Sequence, residues 1–461
     1  MDKAHYLLPR NLHFIGIGGA GMSSLASIAH EQGYVVSGSD ITENEAIARL
    51  KRKGIRVFLG HRMEQVWGAE AVIVSSAIPE ENEELKEARR LNLPIIPRGE
   101  MLASLVNSKK GIVVAGTHGK TTTTSMISLL LEVAGWDPTV SIGGELEDIG
   151  GNAKAGEGEF FIAEADESDG SFLKLNPFCA VVTNIEDDHL IFYGDLEKEK
   201  EAFIRFLHQI KKEGFGVVCQ DHPAIRSILP YLSSLEILTY GMEEGDIRGI
   251  IKEKKKDGFL FQVNWKDKKL ADFELRIPGL HNINNALAAI TVGLKLGIEL
   301  NYLKKALFSF RGVKRRFEKV GRVKGALVID DYAHHPTEML SVWQTALDYA
   351  RGNLVVIFQP HRYTRTRQLY REMAKVLEKF QQVFILPVYS AGEKPIPGVS
   401  AELIYQEMKK DGFEKVQLVE SSEDAAEECL KILKPEDLVV TMGAGDVWKA
   451  GWILCSQNGG K

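Results

Sequence analysis

Gly111-Ile112-Val113-Val114-Ala115-Gly116-Thr117-His118-Gly119-Lys120-Thr121-Thr122-Thr123-Thr124 is the stretch whose reading decides the fold. Gly111 to Ala115 is an apolar run of the length expected of a buried parallel strand. Gly116 and Gly119 permit a tight turn, and a helix is expected from Lys120 onward. Strand, glycine turn and helix in that order make a phosphate loop, in which N–H groups of the turn and the helix start point at an anion. Lys120 then reaches the β/γ-phosphates of a nucleoside triphosphate, and the Thr121 hydroxyl ligates Mg²⁺. Gly116, Thr117, His118, Gly119 and Thr122 complete the cradle. The loop has two residues between its glycines, where the usual phosphate loop has four.

Toward the N-terminus, Leu12 to Ile17 reads as a strand running into Gly16-Ile17-Gly18-Gly19-Ala20-Gly21, a Gly-x-Gly-x-x-Gly turn that opens a helix over Met22 to Gln32. A second strand, Tyr34 to Gly38, leads to Asp40, placed as the acid that holds a ribose hydroxyl in dinucleotide folds. Further strands are expected at Ala71 to Ser76 and Leu93 to Pro97, with a charged helix over Glu80 to Leu91 between them. This is a small Rossmann-like α/β domain, 1–108. Its glycine pattern calls for a diphosphate and does not by itself specify NAD. Gly18, Gly19, Ala20, Gly21, Met22, Asp40 and Ser75 are its candidate ligand residues.

A central α/β domain, 109–314, follows from the phosphate loop. Strands Phe160 to Ala163 and Ala180 to Thr183 end in Glu164-Ala165-Asp166-Glu167-Ser168-Asp169 and Asn184-Ile185-Glu186-Asp187-Asp188-His189. Ligands bind at the carboxyl ends of parallel strands, so both clusters belong beside the loop. Their oxygens suit Mg²⁺, and a histidine can complete a second metal site. Ile247 to Ile277 alternates apolar and polar residues and reads as an inserted antiparallel layer of hairpins. His281-Asn282-Ile283-Asn284-Asn285 then opens a helix; Asn282 suits a cap, and the Asn285 amide can pair with an adenine edge.

Arg311 to Arg316 is a basic, glycine-containing hinge candidate, and a third, Rossmann-like domain, 315–461, begins beyond it. Its strands, Ala326 to Ile329, Leu354 to Phe358, Val383 to Leu386, Val416 to Val419 and Leu438 to Thr441, lead into Asp330-Asp331-Tyr332-Ala333-His334-His335-Pro336 and Gln359-Pro360-His361-Arg362-Tyr363-Thr364-Arg365. Arginines at strand ends clamp carboxylates or phosphates bidentately.

The 461 residues, 44% hydrophobic and 26% charged, are too many for one core and ordinary for soluble α/β domains. A net charge of −6 gives no general attraction to nucleic acid or anionic lipid. No run approaches the roughly 18 apolar residues of a membrane span, and Met1 to Asn11 lacks the apolar core of a secretory signal. Four separated cysteines without a Cys-x-x-Cys pair read as reduced thiols, which favours the cytoplasm. A kinase can be built from these parts. So can an ATP-dependent ligase that phosphorylates a carboxylate for attack by an amine, and the nucleotide-type first domain favours the ligase.

Gly116–Thr122, Glu164–Asp169, Asn184–His189, His281–Ala286, Arg315-Arg316-Phe317-Glu318 and Asp330–Pro336 resemble the signatures of the Mur ligases, in that family's order and over nearly the full chain. His13–Ser23 and Asp331–Pro336 resemble its alanine-adding branch. The resemblance implies that the first glycine loop holds the diphosphate of UDP-N-acetylmuramic acid, and that ATP binds the central domain with adenine near Asn282 and Asn285. It implies further that Thr121, Glu164 and His189 arrange Mg²⁺, as two ions replaceable by Mn²⁺, and that Asp331 or its neighbour Asp330 meets the ribose and Arg316 or its neighbour Arg315 the phosphates. Tyr332, His334, Arg362 and Arg365 would surround L-alanine, with Lys120, His189, His334, Arg362 and Arg365 the residues closest to the chemistry. Three domains sharing one reaction imply hinge closure, in a monomer or weak dimer that inserts into no membrane and binds no nucleic acid. Several relatives carry a carbamylated lysine on the helix after Asp-His. The register here places Phe203 there, with Lys198 and Lys200 off it, so no carbamate is expected. Leu280 stands where the pattern has a basic residue.

Overall fold

The computed structural model describes residues 8–146, 149–167, 169–186 and 190–456. The first sheet contains β1 (Asn11–Ile15), β2 (Val35–Asp40), β3 (Arg56–Leu59), β4 (Ala71–Val74) and β5 (Ile95–Pro97), all parallel, in the order β3-β2-β1-β4-β5. Helices α1 (Ala20–Glu31), α2 (Glu45–Arg52), α3 (Glu83–Arg90) and α4 (Arg98–Asn107) connect and follow these strands. Phe14, Ile15, Val72 and Ile73 are fully buried, because a parallel sheet covered on both faces needs apolar side chains on both. β1 stops at Ile15 and α1 starts at Ala20, each two residues earlier than the sequence reading, because the turn itself occupies 16–19.

The central sheet has ten strands: β6 (Lys110–Ala115), β7 (Thr139–Leu146), β8 (Gly151–Lys154), β9 (Phe160–Glu164), β10 (Cys179–Val182), β11 (Phe215–Cys219), β12 (Ile237–Gly241), β13 (Ile247–Lys255), β14 (Gly258–Trp265) and β15 (Lys268–Leu275). Their order is β15-β14-β13-β12-β11-β10-β6-β9-β7-β8. Its helices are α5 (Lys120–Val133), α6 (Leu190–Tyr193), α7 (Leu196–Leu207), α8 (Pro223–Ile228), α9 (His281–Lys295) and α10 (Leu300–Ser309). The antiparallel insertion is present, but it is not a separate layer. β13 pairs in parallel with β12, so β13 to β15 extend the same sheet and satisfy an edge that would otherwise expose its backbone. On α7, Phe203 is buried against Phe172, with ring centroids 5.3 Å apart.

The third sheet runs β16-β17-β21-β18-β19-β20. It comprises β16 (Glu318–Val323), β17 (Ala326–Asp331), β18 (Leu354–Phe358), β19 (Gln382–Ile385), β20 (Val416–Leu418) and β21 (Leu438–Met442), with α11 (Pro336–Leu347), α12 (Tyr363–Leu377), α13 (Glu402–Lys410), α14 (Ser422–Ile432) and α15 (Trp448–Ser456). Only β16 is antiparallel to its neighbour, and a bulge between Lys319 and Gly321 breaks its alternation, which hides it in the sequence.

The chain forms two compact units. One comprises Met1–Glu253, Phe259–Arg276 and Asn282–Arg311; the other comprises Lys254–Gly258, Ile277–His281 and Gly312–Lys461. The first two sheets share a unit because α1 lies on β7 and β8. There Ser24 Oγ meets Ser141 Oγ at 2.7 Å, and Asn152 Nδ2 donates to the Ala20 carbonyl at 2.8 Å. Among the described residues no helix is long and apolar enough to cross a membrane, and the four cysteines are free thiols.

Candidate active site

The phosphate loop is held by its neighbour strand. Gly116 (φ +128°) passes so close to β10 that a Cβ there would lie 2.3 Å from Thr183 Oγ1. Past β10, Asn184 clamps the loop at both backbone polar groups of one residue: its Oδ1 accepts from His118 N–H at 2.7 Å, and its Nδ2 donates to the His118 carbonyl at 2.9 Å. Thr183 Oγ1 donates to that carbonyl at 2.6 Å, and Thr117 Oγ1 accepts from Glu186 N–H at 2.8 Å. His118 Nε2 lies 3.4 Å from Glu186 Oε2. Gly119 (φ +80°) ends the loop, and α5 follows with no side-chain cap, so its first N–H groups face the loop. Thr121, Thr122, Thr123 and Thr124 are all buried; packing overrides the poor helix propensity of β-branched residues.

Lys120 Nζ donates to the Gly116 and Thr117 carbonyls at 2.5 and 3.1 Å and to Glu167 Oε1 at 2.7 Å. Burial works against its charge, but Glu167, Glu164 and Asp166 outweigh it and raise the ammonium's pKa above the usual lysine value. Thr121 Oγ1 and Gly143 N–H both donate to Glu164 Oε2 at 2.9 Å. One hydroxyl and one carboxylate at that spacing are hard oxygen donors suited to Mg²⁺ beside a phosphate. His189, the third member of the expected metal set, lies outside the described residues, as do Asp187 and Asp188.

Asn282 is not a cap; it lies inside the first turn of α9, and its Oδ1 accepts from Asn285 Nδ2 at 3.0 Å. Asn285 Oδ1 accepts from Thr123 Oγ1 at 3.2 Å and would lie 2.6 Å from a Cβ on Gly119. The pair therefore locks α9 onto the phosphate loop.

In the first sheet, Gly18 N–H donates to Asp40 Oδ2 at 2.9 Å, and Thr42 N–H to Oδ1 at 3.2 Å. Asp40 thus shapes the glycine turn. The N–H groups of Ala20, Gly21 and Met22 open α1, with Gly19 as its cap; the Met22 side chain is in the core, which leaves only its backbone at the turn. Ser75 packs under Gly16 and accepts from Ala77 N–H at 3.3 Å.

The second unit has its own polar edge. Arg315 (φ +61°) is fully committed: Nε donates to Asp330 Oδ2 at 3.0 Å, Nη1 to Gly445 O at 3.0 Å and Nη2 to Gly443 O at 2.6 Å. Asp330 also accepts from Thr441 Oγ1 at 2.6 Å. Arg316 stacks on the Tyr332 ring, 5.3 Å from its centroid, with Nη1 3.6 Å from Glu338. Asp331 accepts Phe317 N–H at 2.7 Å and Ala333 N–H at 2.8 Å, and burial pushes its pKa up to about 6 despite Arg316. His334 Nδ1 lies 3.0 Å from the Tyr332 carbonyl, an acceptor, so Nδ1 carries the proton and Nε2 is the basic nitrogen. Tyr332, His334, His361 and Tyr389 form a row of rings with successive centroids 5.5, 5.4 and 5.7 Å apart. Arg365 Nη1 reaches His361 Nδ1 at 3.4 Å. Exposed Arg362 (φ +68°) caps α12 and donates its N–H to Tyr389 O at 2.8 Å.

Three family models match the chain: the Mur ligase family catalytic domain over residues 11–110, the Mur ligase middle domain over 114–293, and the Mur ligase glutamate ligase domain over 315–445. The chain belongs to the Mur ligase family. It is 48% identical over 451 residues to a UDP-N-acetylmuramate–L-alanine ligase of Dictyoglomus turgidum, spanning 97% of both chains. It is 47% identical to the enzyme of that name from Carboxydothermus hydrogenoformans, over 97% and 96%. Among solved structures, the UDP-N-acetylmuramate–alanine ligase of Thermotoga maritima superposes with a TM-score of 0.83 at 30% identity, over 97% of this chain and 99% of that one. A murein peptide ligase of Psychrobacter arcticus shares the fold, with a TM-score of 0.75 at 24% identity over 98% and 99%.

Sequence reasoning passed over several groups at the sites of this Mur ligase. Asn184 and Gly143 act through backbone geometry that no spacing announces. Arg98, at the start of α4, packs against Gly21 and pairs with Asp166 at 2.9 Å. His361 and Tyr389 meet across two strand ends; the one available signal was His361's place after β18.

Proposed function

We propose that this Mur ligase joins L-alanine to the lactyl carboxylate of UDP-N-acetylmuramic acid, with ATP converted to ADP and phosphate, as a step in building peptidoglycan precursors. The observation that carries the reading is the 48% identity, across 97% of both chains, to a ligase named for that reaction. The residues fit the parts it requires. The N–H groups at the start of α1 take the UDP diphosphate, with Asp40 and Ser75 shaping the turn. The phosphate loop and Lys120 take the ATP phosphates, and the locked pair Asn282 and Asn285 presents α9 to the adenine. Thr121, Glu164 and His189 would hold Mg²⁺, as two ions that Mn²⁺ can replace, and a metal bound there would supply charge neutralisation to the transferring phosphoryl group. The lactyl carboxylate attacks the γ-phosphorus, ADP leaves, and an acyl phosphate remains. The alanine amine attacks that carbonyl, phosphate departs, and the amine's proton goes to His334 Nε2. Arg362, Arg365 and Tyr332 hold the amino-acid carboxylate; Arg316 and Asp331 serve the nucleotide. Residues 1–108, 109–314 and 315–461 are the working domains, each owning one sheet, in a cytoplasmic monomer or weak dimer.

The test follows phosphate release by the purified chain given ATP, Mg²⁺, UDP-N-acetylmuramic acid and single amino acids. Release requiring both the sugar nucleotide and L-alanine is expected; release indifferent to either refutes the proposal. Lys120→Ala is expected to abolish turnover while sugar-nucleotide binding stays within about twofold.

A further inference from the structure

The second unit includes a piece of the hairpin made by β13 and β14. Glu253 and Phe259 belong to the first unit, but Lys254–Gly258, the tip between them, belongs with Gly312–Lys461. At that tip Asp257 Oδ1 accepts from the Tyr349 hydroxyl at 2.6 Å and from Lys319 Nζ at 2.5 Å, and Lys254 Nζ donates to Asp348 Oδ1 at 2.6 Å. The Lys319 ammonium also lies 5.1 Å from the centre of the Tyr349 ring. Burial works against the Asp257 charge, but the bonds from Lys319 and Tyr349 outweigh it and hold the carboxyl below its usual range.

Tyr349 meets Phe317, with ring centroids 5.4 Å apart, and both rings pack on the core of the third sheet. Phe317 ends a turn of unusual backbone. Arg315 (φ +61°) and Phe317 (φ +51°) both lie in the left-handed region, one on each side of Arg316. That region crowds the Cβ of any residue but glycine, so such a turn persists only where its surroundings over-determine it. Around Arg315 the sheet does so. Its guanidinium bonds Asp330, Gly443 and Gly445, its N–H donates to Glu318 Oε2 at 2.8 Å, and its carbonyl accepts from Tyr332 N–H at 2.7 Å. At Phe317 the N–H donates to Asp331 Oδ2 at 2.7 Å. The Phe317 side chain is held by Tyr349, whose hydroxyl is in turn held by Asp257.

We propose that Asp257 is a positioning residue for Arg316: through Tyr349 and Phe317 it holds the strained turn that presents this guanidinium to the nucleotide phosphates. Arg315 cannot take that part, because Asp330, Gly443 and Gly445 already occupy its guanidinium. The inference rests on the proposed role of Arg316 at the phosphates. It gives the antiparallel extension of the central sheet a task beyond covering an edge, since the tip of its hairpin supports a turn far along the chain. The Asp257 side chain is 51% exposed, so removing it leaves neither a cavity nor a buried charge, and its effect on activity is modest.

The test is a double-mutant cycle on kcat/KM for ATP, read as phosphate release by the full chain with UDP-N-acetylmuramic acid and L-alanine saturating. Asp257→Ala is expected to lower kcat/KM about fivefold, the worth of one net hydrogen bond, and Tyr349→Phe, which removes only the hydroxyl, by a similar factor. Asp257→Glu keeps the carboxylate and should stay within about twofold of wild type. In the Arg316→Ala background Asp257→Ala should have no further effect, because the group it positions is gone; a merely structural role would lower kcat/KM by the same factor again. Thermal unfolding reports whether each variant is folded. Should Asp257→Ala fail to fold, Tyr349→Phe decides by the same cycle. A folded Asp257→Ala with unchanged kcat/KM, or a loss that persists in full on top of Arg316→Ala, overturns the positioning role and leaves the function standing. If Arg316→Ala itself leaves kcat/KM unchanged, the assignment of Arg316 to the phosphates falls, and the inference with it.

Discussion

Asn184→Ala isolates what holds the phosphate loop in shape. The side chain brackets the backbone of one residue, taking the His118 N–H at 2.7 Å and donating to the His118 carbonyl at 2.9 Å. Each such bond is worth about 1 kcal/mol net, and alanine also leaves a partly buried N–H without its acceptor. The carbonyl keeps Thr183 Oγ1, so its share of the loss is small. The ordered loop should therefore lose about 2 kcal/mol, and a nucleotide that binds only the ordered loop should bind roughly thirtyfold more weakly. Isothermal titration with ADP and Mg²⁺ measures this, and titration with UDP-N-acetylmuramic acid, whose proposed site is on the first sheet, is the internal control. Asn184→Asp keeps the acceptor and loses the donor, so it should fall between the two. An ADP affinity within twofold of wild type in folded Asn184→Ala would refute the claim that this clamp orders the loop.

The adjacent arginines should separate in their effects. Arg315→Ala removes the partner of the buried Asp330 carboxylate and should destabilise the second unit by about 3 kcal/mol in urea unfolding, whereas Arg316→Ala should leave stability near wild type and lower turnover; equal stability losses would contradict the assignment. The pKa of Asp331, near 6 in the fold against an ordinary 3.8, means that the folded chain holds this proton more tightly than the unfolded chain does. Stability is therefore lost as the pH rises from about 4 through 6 and constant above, by up to about 3 kcal/mol. Asp331→Asn should flatten that slope, and a slope identical to wild type would count against it. His334→Gln should cut turnover at least about a hundredfold near neutral pH while ATP and sugar-nucleotide affinities hold; turnover within threefold would remove it as the base.

The three sheets were readable because strands such as β6, β10 and β18 are buried on both faces and appear as short, unbroken apolar runs ending in polar chemistry. What stayed hidden depends on pairing and approach that no residue pattern states. β13 reads as the edge of a hairpin layer, but it pairs in parallel with β12, the strand directly before it. That Lys120, Thr121 and Glu164 lie together was legible, because the loop motif sets Lys120 and Thr121 at a helix start and β9, paired with β6, ends in Glu164. Asp40 was legible in place, but the N–H of Gly18 decides what its carboxylate touches. The support of the Arg316 turn could not be read at all: Asp257, Phe317 and Tyr349 lie in three separate turns, and none is unusual where it stands.

The lysine that waits for a phosphate is already satisfied. With Lys120 bonded to Gly116, Thr117 and Glu167, the loop offers little net positive charge, and an anion must displace a carboxylate before it gains an ammonium. A ligand with a second foothold on the protein can meet that cost more readily than a small free anion, so the Lys120–Glu167 pair biases the loop against free phosphate.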